Sequence, residues 1–322
     1  MDQPFISNLI TPRLIQSVLG SISYETMGIT DAHNHVWIET IAGADSTAPV
    51  LDQFEGIRED LRSYRTAGGA SLLDCQPGGC GRNAAKLVIL SKDSGVNIIA
   101  CTGFHRKKYY GPDYWLFAAS EEQIADHLIS EYEKALEETK GQPNPPRAGF
   151  IKIALEADWK NTPQAAMEAT AATAKATGAV VEIHTEKGAL AEKVVVFFDD
   201  HGVKPNQLVL CHMDKRPDLN LHTELCRFGV LVEYDTFYRM KYQPETNLWP
   251  LITGLCNAGL SNRIALATDM AESEMYKSIN NGPGLASLPT EIKDRLMDLN
   301  IPNDSIQEML GGNIARRLAG LN

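Results

Sequence analysis

Between residues 28 and 271 the chain presents, eight times over, a short apolar or β-branched run, a loop, and in most cases a longer stretch of helical periodicity. The runs cover 28–38, 70–76, 97–104, 148–156, 179–186, 207–214, 230–236 and 263–271. Helices are predicted near 54–67, 82–94, 120–140, 163–177, 188–202, 218–228, 247–260 and 288–299, several stopped by Gly68, Gly95, Gly178, Gly202, Gly229 or Gly259. Strand–helix alternation places the chain in the α/β class, and eight of each is the count of a closed parallel barrel. An open doubly wound sheet would have fewer strands, and the first strand–helix junction lacks a GxGxxG loop. The expected architecture is therefore a single (β/α)8 TIM barrel over residues 28–322.

Residues 1–27 precede the first barrel strand and carry two short apolar pieces around Gly20, which predicts a small N-terminal arm or hairpin capping one barrel end. Residues 141–146 are a proline-rich connector too short to join independent domains, and 302–320 supply a last helix pair for the outer shell. With 43% hydrophobic and 22% charged residues there is apolar material for a large core, and disorder is excluded as an overall reading. The net charge of −11 opposes nucleic-acid and anionic-membrane partners, whose binding needs clustered Lys and Arg. The start lacks the basic and apolar regions of a secretory signal, and no stretch is long and apolar enough to span a bilayer. The expectation is a cytoplasmic protein acting on a small molecule, with a homodimer the base-rate assembly. Six scattered cysteines read as reduced core residues, and the spacing of Cys75 and Cys80 is weak ground for a metal or disulfide pair.

The chemistry-bearing residues fall where a barrel places its site. His33 and His35 are two apart on the first strand, so their imidazoles point to one face, and Asp31 shares that face as a candidate to orient one of them. His184 and His212 lie near the C-terminal ends of the fifth and sixth strands, and Asp269 ends the eighth in Leu-Ala-Thr-Asp-Met. An unpaired carboxylate there would be strongly disfavoured, so a cation or basic network is expected beside it. His127, His201 and His222 fall in helices or loops, where a solvated surface role is expected.

Lys152, in Phe-Ile-Lys-Ile-Ala, puts an ammonium inside the fourth strand, where an uncompensated charge is costly. Two solutions stand open: reaction of the neutral amine with carbon dioxide to a carbamate that bridges two metal ions, or pairing with Glu182 or Glu156 across the barrel.

Together these residues resemble the phosphotriesterase family of the amidohydrolase superfamily, whose pattern is HxH on strand one, a carboxylated Lys on strand four, a His on each of strands five and six, and an Asp on strand eight. The resemblance spans nearly the whole chain, from the stretch 17–30 to Gly312-Asn313 and Ala315-Arg316, and departs at Asn34, where many members carry Glu. It implies a hydrolase holding two divalent cations, zinc by its His-rich shell, with manganese, cobalt or iron as alternatives. His33, His35 and Asp269 would hold the more buried ion, His184 and His212 the more exposed one, and carbamylated Lys152 with a hydroxide would bridge them. Asp269 would be the catalytic residue, accepting the proton as hydroxide attacks and delivering it to the leaving group.

Loops after the strands set the substrate. The loop after strand three, beginning His105-Arg-Lys-Lys-Tyr109-Tyr110, is basic and aromatic, and Arg239 and Lys241 follow strand seven. The latter segment resembles members hydrolysing sugar-phosphate lactones, but Glu272 stands where those relatives imply a basic residue. His105, Tyr109, Tyr110, Arg239, Lys241 and Glu272 are the candidate substrate contacts. The expected reaction is hydrolysis of a sugar-acid or other hydroxylated carboxylic acid lactone, with organophosphate, phosphoester and amide hydrolysis as alternatives. A non-catalytic binding barrel fits less well, because purposeless buried polar groups cost roughly 1–3 kcal/mol each.

Overall fold

In the computed structural model, which describes residues 13–321, eight parallel strands form one sheet in sequence order. They are β3 (Ile29–Asn34), β4 (Gly69–Asp74), β5 (Asn97–Gly103), β6 (Phe150–Ala154), β7 (Val181–His184), β8 (Leu208–Cys211), β9 (Leu231–Tyr234) and β10 (Ile264–Leu266), preceded by the hairpin strands β1 (Ile15–Ser17) and β2 (Gly20–Ile22). The sheet curls until its last strand meets its first. Asp269 N donates to His33 O at 3.0 Å, and Thr268 N and Oγ1 donate to the Asp31 carboxylate at 3.1 and 2.5 Å. The (β/α)8 barrel read from the alternation is the fold.

Helices α1 (Phe54–Thr66), α2 (Ala84–Ser94), α3 (Glu121–Glu133), α4 (Gln164–Thr177), α5 (Ala191–Asp200), α6 (Leu219–Phe228) and α7 (Leu248–Asn257) wrap the sheet. Local chemistry sets their ends. Ser120 and Gln123 form a reciprocal capping box at α3, Asn83 and Asp218 accept from backbone N–H groups at α2 and α6, and Gly95, Gly178 and Gly229 take left-handed conformations past α2, α4 and α6. The helix expected over 120–140 stops earlier, at Glu133; the chain then makes only a short turn at Glu137–Thr139. After β10 come α8 (Lys277–Asn280), α9 (Lys293–Asp298), α10 (Asn303–Gln307) and α11 (Asn313–Leu318). Gly311, between the last two, has φ +151°, and a Cβ there would stand 2.3 Å from Gly28 O, so the break lets the final pair tuck under the first barrel strand.

The hairpin lies at the N-terminal end of the barrel: Val18 N donates to Ile98 O at the start of β5. Ile15 and Met27 join Leu73, Ile99, Phe150, Val209, Leu231 and Ile314 in an apolar plug inside that end. The larger core fills the space between sheet and helices. Residues 1–12 of the predicted arm lie outside the described residues. Among the described residues no helix is long and apolar enough to cross a membrane. His222, expected at the surface, is instead fully buried, its Nδ1 2.7 Å from Tyr234 Oη, because α6 turns that face onto β9. His127 and His201 are half-buried.

Candidate metal centre

Strand alternation layers the barrel interior. Above the apolar plug, the next inward positions are Cys101, Lys152, Glu182, Cys211 and Glu233, all buried; above them, at the C-terminal rim, stand His184, His212, Asp235 and Asp269 beside His33 and His35. The strands are shorter than the runs read from sequence because three of the rim residues leave the strand. His35 follows β3 past a register shift between Asp31 and Asn34, while His212 and Asp269 take positive φ, 62° and 46°. For residues other than glycine such backbone is uncommon, and here it turns two polar side chains over the barrel mouth.

Each of three imidazoles is oriented through Nδ1. His33 Nδ1 lies 2.8 Å from Glu233 Oε1, His35 Nδ1 2.8 Å from Gln76 Oε1, and His212 Nδ1 2.6 Å from Asp235 Oδ2. Donation by Nδ1–H to these acceptors leaves the Nε2 lone pairs facing inward, the arrangement that supports metal-ligating histidines. His33 Nε2 and His35 Nε2 both stand 3.7 Å from Asp269 Oδ1. His212 Nε2 is 2.9 Å from His184 Nδ1, and His184 Nε2 is buried without a hydrogen-bond partner. Burial alone would raise the Asp269 carboxyl, but Arg239, His212 and Lys215 hold it below the usual carboxylate range.

These residues fit a cation. The donor atoms of His33, His35 and Asp269 lie within 4.8 Å of one another, and a positive ion would take lone pairs that now face each other. His184 and His212 form the adjoining pair. Lys152 adopts the second of its two solutions: Nζ is 2.9 Å from Glu182 Oε1, 3.1 Å from Cys211 Sγ and 3.3 Å from His33 Nδ1. Burial works against this charge, but Cys211, Glu182, Cys75 and Glu233 hold its pKa above the ordinary lysine value. Glu156 instead pairs with Arg106, 3.0 Å away.

Asp31 does not orient an imidazole. Its carboxylate accepts from Thr268, from Asn34 Nδ2 at 2.8 Å and from His33 N at 3.3 Å, tying the first strand to the last. Asn34 faces this network through Asp31 and Thr268 and not the imidazoles. Cys75 and Cys80 remain separate thiols, the first donating to Glu182 at 2.9 Å. The sequence reading passed over Gln76, Glu233 and Asp235. The signal was present: Val-Glu-Tyr-Asp places two acids on one face of an apolar strand, where solvation cannot explain them.

A cavity of about 470 Å³ opens over the centre, with Tyr109, His105, Arg239, Lys241 and Glu272 among its walls. Arg239 clamps Glu272 at 2.9 and 3.2 Å and reaches Asp269 Oδ2 at 3.5 Å. Lys215, which the sequence reading also omitted, lines the same cavity with its ammonium 5.3 Å from the Tyr242 ring centre. Tyr110 is not among the walls; its hydroxyl accepts from His105 N at 2.8 Å beneath the loop.

Fold and site together define an α/β barrel with a histidine- and carboxylate-rich centre at its C-terminal mouth. The profile of the phosphotriesterase family matches residues 13–318, and the chain belongs to that family. It is 26% identical to a phospho-furanose lactonase of Mycoplasmopsis synoviae, over 95% of this chain and 92% of that protein. It is 24% identical to the phosphotriesterase homology protein of Escherichia coli, over 91% and 98% respectively. The crystal structure of a lactonase from Listeria monocytogenes superposes with a TM-score of 0.87 at 22% identity, covering 95% of this chain and 98% of that one, a likeness of fold.

Proposed function

We propose that this chain is a metal-dependent hydrolase that opens a lactone of a sugar acid or other hydroxylated carboxylic acid to the free hydroxy acid. The observation that carries the reading is the convergence of His33, His35, His184, His212 and Asp269 at one rim, with the Nε2 atoms of His33 and His35 turned to Asp269 and that of His184 buried without a hydrogen-bond partner. His33, His35 and Asp269 would hold one divalent ion and His184 with His212 a second, zinc being best matched to this donor set. Bound there, the ions lower the pKa of water and polarise the scissile carbonyl.

The chain's own residues do the rest. Asp269, kept ionised by Arg239 and His212, takes the proton released as water adds to the carbonyl carbon and returns it to the ring oxygen as the C–O bond breaks. Arg239, fixed by Glu272, orients Asp269 and walls the substrate cavity, while Tyr109 and Lys241 offer a ring and a charge to its polar groups. Lactone chemistry is favoured by the lactonase among the relatives, and a substrate without phosphate by Glu272, which occupies the Arg239 guanidinium. Carbamylation of Lys152 belongs to the metal-loaded form and requires that the amine first leave Glu182. The net charge of −11 suits a cytoplasmic enzyme with a small-molecule substrate, and a homodimer is the base-rate assembly.

A panel of hydroxylated and phosphorylated lactones, with paraoxon and N-acyl amino acids as comparison, tests the reading on protein reconstituted with zinc, manganese or cobalt. Lactone turnover abolished by chelator is the expected result. Cleavage of phosphoester or amide with no lactone turnover discards the substrate class, and lack of stoichiometric metal discards the hydrolase.

A further inference from the structure

His105 sits over the rim because of how its strand ends. Gly103, the last residue of β5, has φ +123°, and a Cβ there would stand 1.8 Å from Lys152 O, so only glycine lets β5 and β6 close to this distance. Phe104 N then donates to Lys152 O at 2.8 Å, and the next residue emerges at the mouth of the barrel. The His105 ring lines the cavity, is only 8% exposed, packs edge-on against Tyr109 with centres 4.7 Å apart, and lies 5.3 Å from the ring of His184.

Its hydrogen bonds fix its tautomer. Arg106 N approaches His105 Nδ1 to 2.7 Å. A backbone N–H can only donate, so Nδ1 is the acceptor, and the proton of the neutral ring is on Nε2. The backbone on the other side is fixed as well, since His105 N donates to the buried Tyr110 hydroxyl. Among the described residues nothing accepts from Nε2–H. A ring in this state is a poor fifth metal ligand, because its free lone pair is already used and its other nitrogen carries hydrogen. It is well suited to donate to an oxygen that gains negative charge.

We propose that His105 is a further catalytic residue, whose Nε2–H donates to the carbonyl oxygen of the substrate as that oxygen becomes an oxyanion. The inference rests on the acyl-transfer reading above. As water adds to the carbonyl carbon, the C=O electron pair moves onto oxygen and Nε2–H shares its proton with that charge without transferring it. When the ring C–O bond breaks, the pair returns to re-form the carbonyl. A preorganised donor of this kind contributes about 10²- to 10³-fold in kcat, because it is aimed before the charge appears.

The test compares wild type, His105→Phe and His105→Gln, all metal-loaded, with metal stoichiometry read by elemental analysis. His105→Phe is expected to lower kcat by about 10²-fold, to leave KM within a few-fold and metal content unchanged, and to weaken a tetrahedral phosphonate analogue of the lactone by a similar factor while sparing the planar lactam. His105→Gln, which restores an N–H donor of similar reach, is expected to recover part of both losses and to keep the wild-type pH profile. Wild-type kcat and phosphonate affinity in His105→Phe overturn the proposal, as does loss of bound metal in both variants, which makes His105 a ligand. Absence of lactone turnover in the wild type overturns the underlying reading and this proposal with it.

Discussion

Lys152 Nζ and Glu182 Oε1 stand 2.9 Å apart on positions paired in register between β6 and β7, both wholly inside the barrel. Removing one partner of a buried ion pair leaves an uncompensated charge, at a cost of about 3–5 kcal/mol. Glu182→Gln is therefore expected to destabilise the metal-free protein by about that amount in urea denaturation at pH 7. Unchanged metal-free stability would show that Lys152 does not depend on Glu182.

Lys152→Met and Asp269→Asn act on the centre itself. The first is expected to lose bound metal and turnover, with partial recovery on adding short carboxylates such as formate or propionate. The second is expected to lower kcat by about 10²- to 10⁴-fold, the range for a lost general acid–base group. Elemental analysis beside steady-state kinetics checks both, and Lys152→Met with wild-type turnover would remove this lysine from the mechanism.

Asp31 accepts four hydrogen bonds, two from His33 and Asn34 on its own strand and two from Thr268 that close the barrel between its first and last strands. Asp31→Ala leaves those buried donors without an acceptor, each costing about 1–3 kcal/mol. A loss of at least about 3 kcal/mol in unfolding free energy is expected, and a loss below about 1 kcal/mol would mean the closure is held elsewhere.

Burial lowers His222 from the usual histidine value to about 4. Because the folded pKa lies below the unfolded one, the unfolded chain binds the proton more tightly. The stabilising contribution is complete above about pH 6.5 and is lost as pH falls toward 4, up to about 3 kcal/mol in all. Comparing wild type with His222→Phe by denaturation at pH 7.5, 5.5 and 4.5 should show the wild type losing more stability on acidification; parallel losses would refute this.

The alternation of strand and helix made the barrel legible because each strand is buried on both faces and reads as a continuous apolar run. For the same reason a polar residue inside such a run stood out, as at Lys152 and Asp269. The ends of the strands were less legible. Nothing in the sequence marks His212 and Asp269 as left-handed, since tertiary packing imposes that backbone. Glu233 and Asp235 were legible as acids within an apolar strand, but which imidazole each orients, and the role of Gln76, depends on which strand lies opposite. His222 was misplaced because its helix turns it inward toward Tyr234, a contact set by packing.

The ammonium of Lys152 gives the barrel interior a counter-ion of its own. Chain folding and ion capture can thus proceed as separate events: the protein closes on its own charge in metal-poor surroundings, and arrival of the ions becomes an exchange of one positive charge for others.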